Sequence, residues 1–176
     1  GGAHFPSAVE TATYRDRLWA IPWIMNVGLL YYRADLLTKY GLAPPETYDE
    51  LVAQVHRIRA GERNPRLDGF LWQGKQYEGL VVNVLEGLWA NGTERIGGDG
   101  TLFPDPARAE EVLAFLRSLI ETGVSPPWVT AADEELSRRA FGDGHAIFLR
   151  NWPYAMDLFE TPGSAVRGRV GIAPLP

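Results

Sequence analysis

Apolar and polar positions come in blocks along this chain, and each block has the length of one secondary-structure element. Gly28-Leu29-Leu30-Tyr31-Tyr32-Arg33 is a continuous apolar run of strand length, the pattern of a strand buried on both faces. Residues 34–40 then give one to two helical turns, ended by Gly41. The clearest helix follows: Thr47 caps it, Glu50 three residues on completes a capping box, and Leu51, Val55 and Ile58 share one face beside Val52. Arg57 and Arg59 suit the negative end of that helix, and Gly61 is the expected stop. Residues 68–72 predict a strand. Residues 77–90 predict a helix with Leu80, Val81, Val84, Leu85 and Leu88 inward, stopped by Asn91-Gly92.

Asp105-Pro106 is a cap followed by proline in the first turn, ahead of a stripe of Val112, Leu113, Leu116, Leu119 and Ile120 that Gly123 closes. A short amphipathic helix is expected over 131–141 with Gly142 at its end. A strand over 145–150, a helix over 154–159 and a last strand over 168–173 complete the order. At the start, 8–17 carries a weak helical period and 18–22 a short strand halted by Pro22. The Gly97 to Gly100 cluster predicts a surface turn. Alternating strands and helices predict an α/β fold, an open sheet with helices on both faces.

Composition narrows the picture. With 176 residues, 45% of them hydrophobic, the chain can bury one core and is short for two, so residues 1–176 are expected to form a single α/β lobe. No apolar run approaches the roughly 20 residues of a membrane helix. A net charge of −5 leaves no electrostatic footprint for nucleic acid. The absence of cysteine excludes disulfides, thiolate metal sites and cysteine nucleophiles, while leaving the compartment open. The opening Gly1-Gly2-Ala3 carries no initiator Met and no signal peptide, and the chain stops at Pro176 straight after a strand, as expected of a piece of a longer protein. Aromatic content is high, with 6 Trp, 7 Tyr and 7 Phe. Such rings either fill a core or stack on flat ligands.

Catalytic signatures are missing: there is no phosphate-binding glycine loop, no G-x-G-x-x-G and no G-x-S-x-G. His4, His56 and His145 fall on separate elements without metal-ligand spacing, so no metal and no cofactor is expected. Glu10, Glu78, Glu86 and Asp157 could supply a catalytic carboxylate pair, or could lie on helix surfaces.

Ligands of open α/β sheets bind at the carboxyl ends of strands. Three connections there combine aromatic rings with amides and acids: Pro22-Trp23-Ile24-Met25-Asn26, Trp72-Gln73-Gly74-Lys75-Gln76-Tyr77-Glu78, and Asn151-Trp152-Pro153-Tyr154. The apolar face of a sugar stacks on an aromatic ring while amides and carboxylates fix its hydroxyls. Trp23, Trp72, Tyr77, Trp152 and Tyr154 are the candidate stacking residues. Asn26, Gln73, Glu78, Arg150 and Asn151 are the candidate hydrogen-bonding residues. Helix starts at Tyr77 and Pro153 would add free N–H donors. Trp19, Trp89 and Trp128 are assigned to core or surface packing.

The run from Pro22 through Asn26, Tyr31-Tyr32-Arg33 and Leu37 resembles the sugar-binding proteins of bacterial and archaeal ABC importers, with the trehalose/maltose-binding group the nearest look. Pro45-Glu46-Thr47-Tyr48-Asp49-Glu50-Leu51, Trp72-Gln73-Gly74, Tyr77-Glu78-Gly79-Leu80, Phe141-Gly142-Asp143-Gly144-His145-Ala146, Asn151-Trp152-Pro153-Tyr154 and Val170-Gly171-Ile172-Ala173-Pro174-Leu175-Pro176 follow in the family's order over nearly the whole chain. The resemblance implies a periplasmic-binding-protein-like (type II) fold whose two lobes close over a sugar. This chain would be the central stretch, building most of the C-terminal lobe. It implies a disaccharide or oligosaccharide ligand, delivery to an ABC importer permease, a periplasmic or extracellular location (a cell-surface lipoprotein among the forms), a monomer at full length, and no catalysis. In such proteins the stretch at 23–26 lies near the interlobe crossing, and Trp152 and Tyr154 match ligand-stacking positions. Asn26 stands where relatives often carry an acid, and Ile24 where some carry an aromatic. Two other classes stay open from the residues alone: a carbohydrate-active enzyme using Glu78 and a second carboxylate, and an interaction domain whose aromatics are all buried.

Overall fold

Two strands buried on both faces organise the molecule, and the helices follow from them. The computed structural model describes residues 4–24, 26–93, 100–101 and 103–176. In chain order the elements are α1 (Pro6–Thr11), β1 (Thr13–Tyr14), β2 (Arg17–Leu18), β3 (Leu29–Arg33), α2 (Ala34–Lys39), α3 (Tyr48–Glu62), β4 (Asp68–Leu71), α4 (Glu78–Ala90), α5 (Pro106–Glu121), a 3-10 turn (Pro127–Ala131), α6 (Glu134–Gly142), β5 (Ala146–Asn151), α7 (Ala155–Phe159) and β6 (Val170–Ala173). The main sheet has the order β4-β5-β3-β6. β4 runs parallel to β5, whereas β3 is antiparallel to both β5 and β6.

Every residue of β5 is buried. The register pairs Leu30 with Arg150, Tyr31 with Leu149 and Tyr32 with Phe148. Pleating therefore sends Leu30 and Phe148 to one side, where they meet Leu37, Leu51, Val55, Ile58 and Phe70. Tyr31 and Leu149 go to the other side, against Phe141, Ala155 and Phe159. Helices cover both faces, as the alternating order predicts. Each fully buried Leu or Phe in these clusters contributes roughly 1.5–3 kcal/mol of transfer free energy.

Helix ends follow local chemistry. Thr47 accepts a hydrogen bond from the Glu50 N–H at 3.2 Å, and the Glu50 carboxylate accepts from the Glu46 N–H at 2.8 Å, one residue before the expected box partner. Asp105 and Asp133 cap α5 and α6 through the N–H groups of Arg108 and Leu136. Gly61 does not stop α3, which runs to Glu62 and ends at Arg63 in the left-handed region. Gly61 is needed for another reason: a Cβ there would overlap the ring of Tyr40.

Three expectations are corrected. The short helix expected within 8–17 is α1, which ends already at Thr11, and the strand expected over 18–22 does not form beyond Leu18. The short α1 is followed by a tight hairpin turning on Arg15 and Asp16, both with positive φ, and only Leu18 of the expected strand is paired. The hairpin's ties are local: the Trp19 indole N–H donates to the Tyr14 carbonyl, and Arg17 stacks on the Trp19 ring. In α4, Leu80, Val84, Leu85 and Leu88 pack inward as expected, but Val81 is 53% exposed and Gly79 and Asn83 are buried in addition. Polar Asn83 and Glu86 occupy the inward stripe because buried partners there demand them. Finally, α6 starts at Glu134 and not at 131, since residues 127–131 form the separate 3-10 turn. The expected turn over Gly97 to Gly100 lies almost wholly outside the described residues, as does Met25. Among the described residues no helix is long and apolar enough to cross a membrane.

Candidate functional site

Because β4 and β5 are parallel, their carboxyl ends emerge side by side. Because β3 is antiparallel to β5, with Leu29 opposite Asn151, the start of β3 emerges at the same end of the sheet. The three aromatic connections therefore lie at one end of the sheet: two follow the carboxyl ends of β4 and β5, as the strand-end argument requires, whereas Pro22 to Asn26 leads into the amino end of β3. The N-terminus of α6 is what ties two of them together.

Lys75 pairs with Asp133 at 3.0 Å, and its backbone N–H donates to the Ala132 carbonyl. The Tyr77 hydroxyl donates to Glu134 Oε2 at 2.6 Å. The Asn151 amide donates to the Glu134 carbonyl at 3.1 Å. The Tyr154 hydroxyl donates to Glu135 Oε1 at 2.8 Å, and Arg138 grips the same carboxylate at 2.7 and 3.2 Å. Tyr77 and Tyr154 are thus tied to one helix start, with Trp152 next to Asn151, which bonds there too, and none of the three rings is fully buried.

Electrostatics at this rim follow from those contacts. Partial burial, then the facing carboxylates Glu134 and Glu135, push the Tyr77 and Tyr154 phenols well above their ordinary range. Hydrogen bonds from Arg138 and Tyr154 hold the Glu135 carboxyl below its usual value. The Leu136 N–H and Lys75 do the same for Asp133. At neutral pH the rim therefore keeps two neutral phenols, with the Glu135 and Asp133 carboxyls held below their usual range. That is a donor and acceptor set for uncharged hydroxyls, with an indole alongside.

Beneath the rim lies a closed polar layer. Arg150 is almost fully buried and binds Glu86 through two hydrogen bonds, at 2.9 and 2.5 Å. Its third nitrogen donates to Gln73 Oε1 at 3.0 Å. The Gln73 amide donates to Ser137 Oγ and to the Arg150 carbonyl, and Asn83 donates to Gln73 in turn. The Arg150 guanidinium lies 3.8 Å from the centroid of the Trp152 ring. The Tyr31 hydroxyl donates to the Trp152 carbonyl at 2.7 Å; burial pushes that phenol up to about 12.

Several candidate residues therefore do not face the rim as ligand contacts. Gln73, Arg150 and Asn151 are buried with their polar atoms committed inside the chain, so they support the rim from below. Trp72 is buried as well. Its indole N–H donates to Ser125 Oγ at 3.1 Å, and its edge borders a separate cavity of ≈ 670 Å3 between α4, α5 and the start of α3. Trp23 is 91% exposed and Asn26 is exposed; neither hydrogen-bonds another described residue. Glu78 is an exposed first residue of α4, which starts without a side-chain cap. As a second carboxylate for it, Glu86 is bound by Arg150, while Glu10 and Asp157 sit on α1 and α7. Trp19 and Trp89 are exposed, and Trp128 packs on the core around Phe141.

Lys75, Asp133, Glu134, Glu135 and Arg138 are rim residues that sequence reasoning missed. A signal was present: Asp133 with the Leu136 N–H is an N-cap followed by two acids, the signature of a helix start. Placing that start at 131 turned all three acids into surface residues of a helix interior.

The family model described as bacterial extracellular solute-binding protein matches residues 2–176. A protein of Deinococcus radiodurans named "probable ABC transporter-binding protein" is 40% identical over 178 residues, covering 99% of this chain and 42% of the relative. The solved structure of maltose-bound MalE3 from T. maritima superposes with a TM-score of 0.90 at 43% identity, over 99% of this chain and 44% of that one. A tagatose-bound solute-binding protein from Thermotoga lettingae shares the fold at 22% identity, with a TM-score of 0.80 over 98% of this chain and 45% of that one. The chain thus spans less than half the length of the relatives it matches.

Proposed function

This chain belongs to the bacterial extracellular solute-binding protein family, and from that premise we propose that it supplies one wall of a sugar site in a two-lobed importer receptor. Residues 1–176 form a single lobe, the larger part of the C-terminal one, in a protein more than twice this length. The ligand is a disaccharide or oligosaccharide of the maltose or trehalose type. The full-length protein acts as a monomer outside the cytoplasm and hands the sugar to an ABC permease without chemical change.

The observation that carries this reading is the rim at the start of α6. Trp152 offers an apolar ring face, and the carboxylates of Glu134 and Glu135, the phenols of Tyr77 and Tyr154 and the Lys75 ammonium offer directional partners for hydroxyls. The likeness at 43% identity to a maltose-bound protein supports the choice of sugar class. Trp23 and Asn26, on the segment entering β3, complete the site from the interlobe crossing, and Glu78 stands at its margin.

A single wall makes only part of the contacts. A micromolar ligand has about −8 kcal/mol of binding free energy, and half of that corresponds to roughly millimolar affinity. Saturation-transfer NMR with maltose at millimolar concentration tests the reading. The expected result is transfer to the sugar ring protons by this chain and its loss in Trp152→Ala. Equal transfer by Trp152→Ala, or turnover of the sugar, would overturn it.

A further inference from the structure

Trp152 does not lie free on the rim. One of its two ring faces is occupied by the Arg150 guanidinium, 3.8 Å from the ring centroid. That guanidinium cannot swing away, because Glu86 holds it at two nitrogens and Gln73 Oε1 at the third. The backbone on either side of the indole is pinned too: the Asn151 side chain accepts from the Trp152 N–H at 2.8 Å, and the Tyr31 hydroxyl donates to its carbonyl. A further constraint comes from β3. At Gly28 a Cβ would overlap Glu86 Oε1 and come within 2.8 Å of Arg150 Nη2, so the chain entering the sheet is pressed against the ion pair.

We propose that Arg150 is a positioning residue for ligand stacking: fixed by Glu86 and Gln73, it immobilises the Trp152 indole from behind and leaves only the opposite ring face for a sugar. This rests on the sugar-binding reading above and deepens it, since it assigns the orientation of the stacking ring to a residue that never touches ligand. The physical gain is pre-organisation. A ring already held in its bound rotamer spares the ligand the entropy of ordering it. Planarity is essential to the arrangement. A guanidinium can lie flat on an indole while still giving a forked pair to a carboxylate, whereas a lysine ammonium can do only the second.

The test uses the 176-residue chain labelled with 5-fluorotryptophan, with maltose as the probe. Arg150→Lys keeps a cation beside Glu86 and loses the planar guanidinium against the ring. The double variant Arg150→Met with Glu86→Leu removes both charges and leaves no buried ion unpaired. Urea midpoints identify whether each variant is folded. In the wild type, the Trp152 fluorine resonance, assigned by its loss in Trp152→Phe, should be single and displaced from the denatured value. In both variants it should move toward the denatured value while the other resonances hold, and maltose affinity should fall about tenfold. A Trp152 resonance unchanged in either folded variant would overturn the proposal. So would maltose affinity equal to wild type in both variants, where wild type binds and Trp152→Ala does not. A wild type that fails to bind any maltose would overturn the sugar reading itself and Arg150's part in binding, a result distinct from both.

Discussion

The segment before β3 and the rim at the carboxyl ends of β4 and β5 both carry several aromatic residues, and the structure treats them differently. In the first, Phe5, Tyr14, Trp19 and Trp23 are all largely exposed, and the contacts that order the segment come from neighbours a few residues away. In the second, the polar tips of Tyr77 and Tyr154 are held by carboxylates 57 and 19 residues away, and the Trp152 ring lies against Arg150, which is itself held by Glu86 and Gln73 from 64 and 77 residues away. Aromatic richness alone therefore does not position a ring. What distinguishes the rim is that its rings are held by groups that the tertiary fold fixes in place. With its ties confined to near neighbours, the segment before β3 is expected to open before the sheet does.

The sharpest way to break this contrast is to remove support from below the rim. Arg150→Met alone leaves Glu86 without its partner in a largely closed layer, and the expected loss is about 3–5 kcal/mol of stability. Trp23→Ala, on the exposed segment, should change stability by less than about 0.5 kcal/mol. Urea unfolding of the two variants checks the pair, and equal effects would erase the distinction. Gly28→Ala comes next, at about 1–3 kcal/mol, because the added methyl must displace a clamped ion pair. Asp133→Ala should cost about 1 kcal/mol by uncapping α6, and it frees Lys75 from its partner. Hydrogen exchange should report that loss at the N-terminus of α6 and leave β1 and β2 unchanged.

The smallest effect is in the pH response. The phenols of Tyr77 and Tyr154 are raised, so the stability they carry is full below the ordinary phenol range and is lost as pH rises through their raised values. Glu135 has the opposite sign: its lowered carboxyl contributes above the usual Glu range and loses that contribution as pH falls through its lowered value. Absorbance titration of the tyrosinates and NMR titration of the Glu135 side chain follow each directly. A Tyr154 that ionises at the ordinary phenol value would mean that its bond to Glu135 is absent in solution.

Much of the fold was legible in the sequence. The apolar run at 28–33, the Thr47 and Asp105 caps and the Gly41 and Gly123 ends correspond to elements and positions that the structure shows. The candidate site was legible as three segments and not as side chains. Strand ends can be inferred from local pattern, and the parallel pairing of β4 with β5 and the antiparallel pairing of β3 with β5 bring the segments to one end of the sheet. The roles of Gln73, Arg150 and Asn151 could not be inferred that way. A polar residue beside a strand end looks the same whether its partner is a ligand or a distant side chain.

Local pattern thus determined this protein's elements, their order and its family resemblance, since caps, turns and hydrophobic periods act over a few residues. Tertiary structure alone decided which of those groups remain available to a ligand. Arg150 meets Glu86 from 64 residues away and Gln73 from 77. Only the pairing of β5 with β4 and β3, and the packing of α4 across them, brings those charges out of water and against one another. An unpaired charge is too costly to bury, and that cost fixes the indole above it.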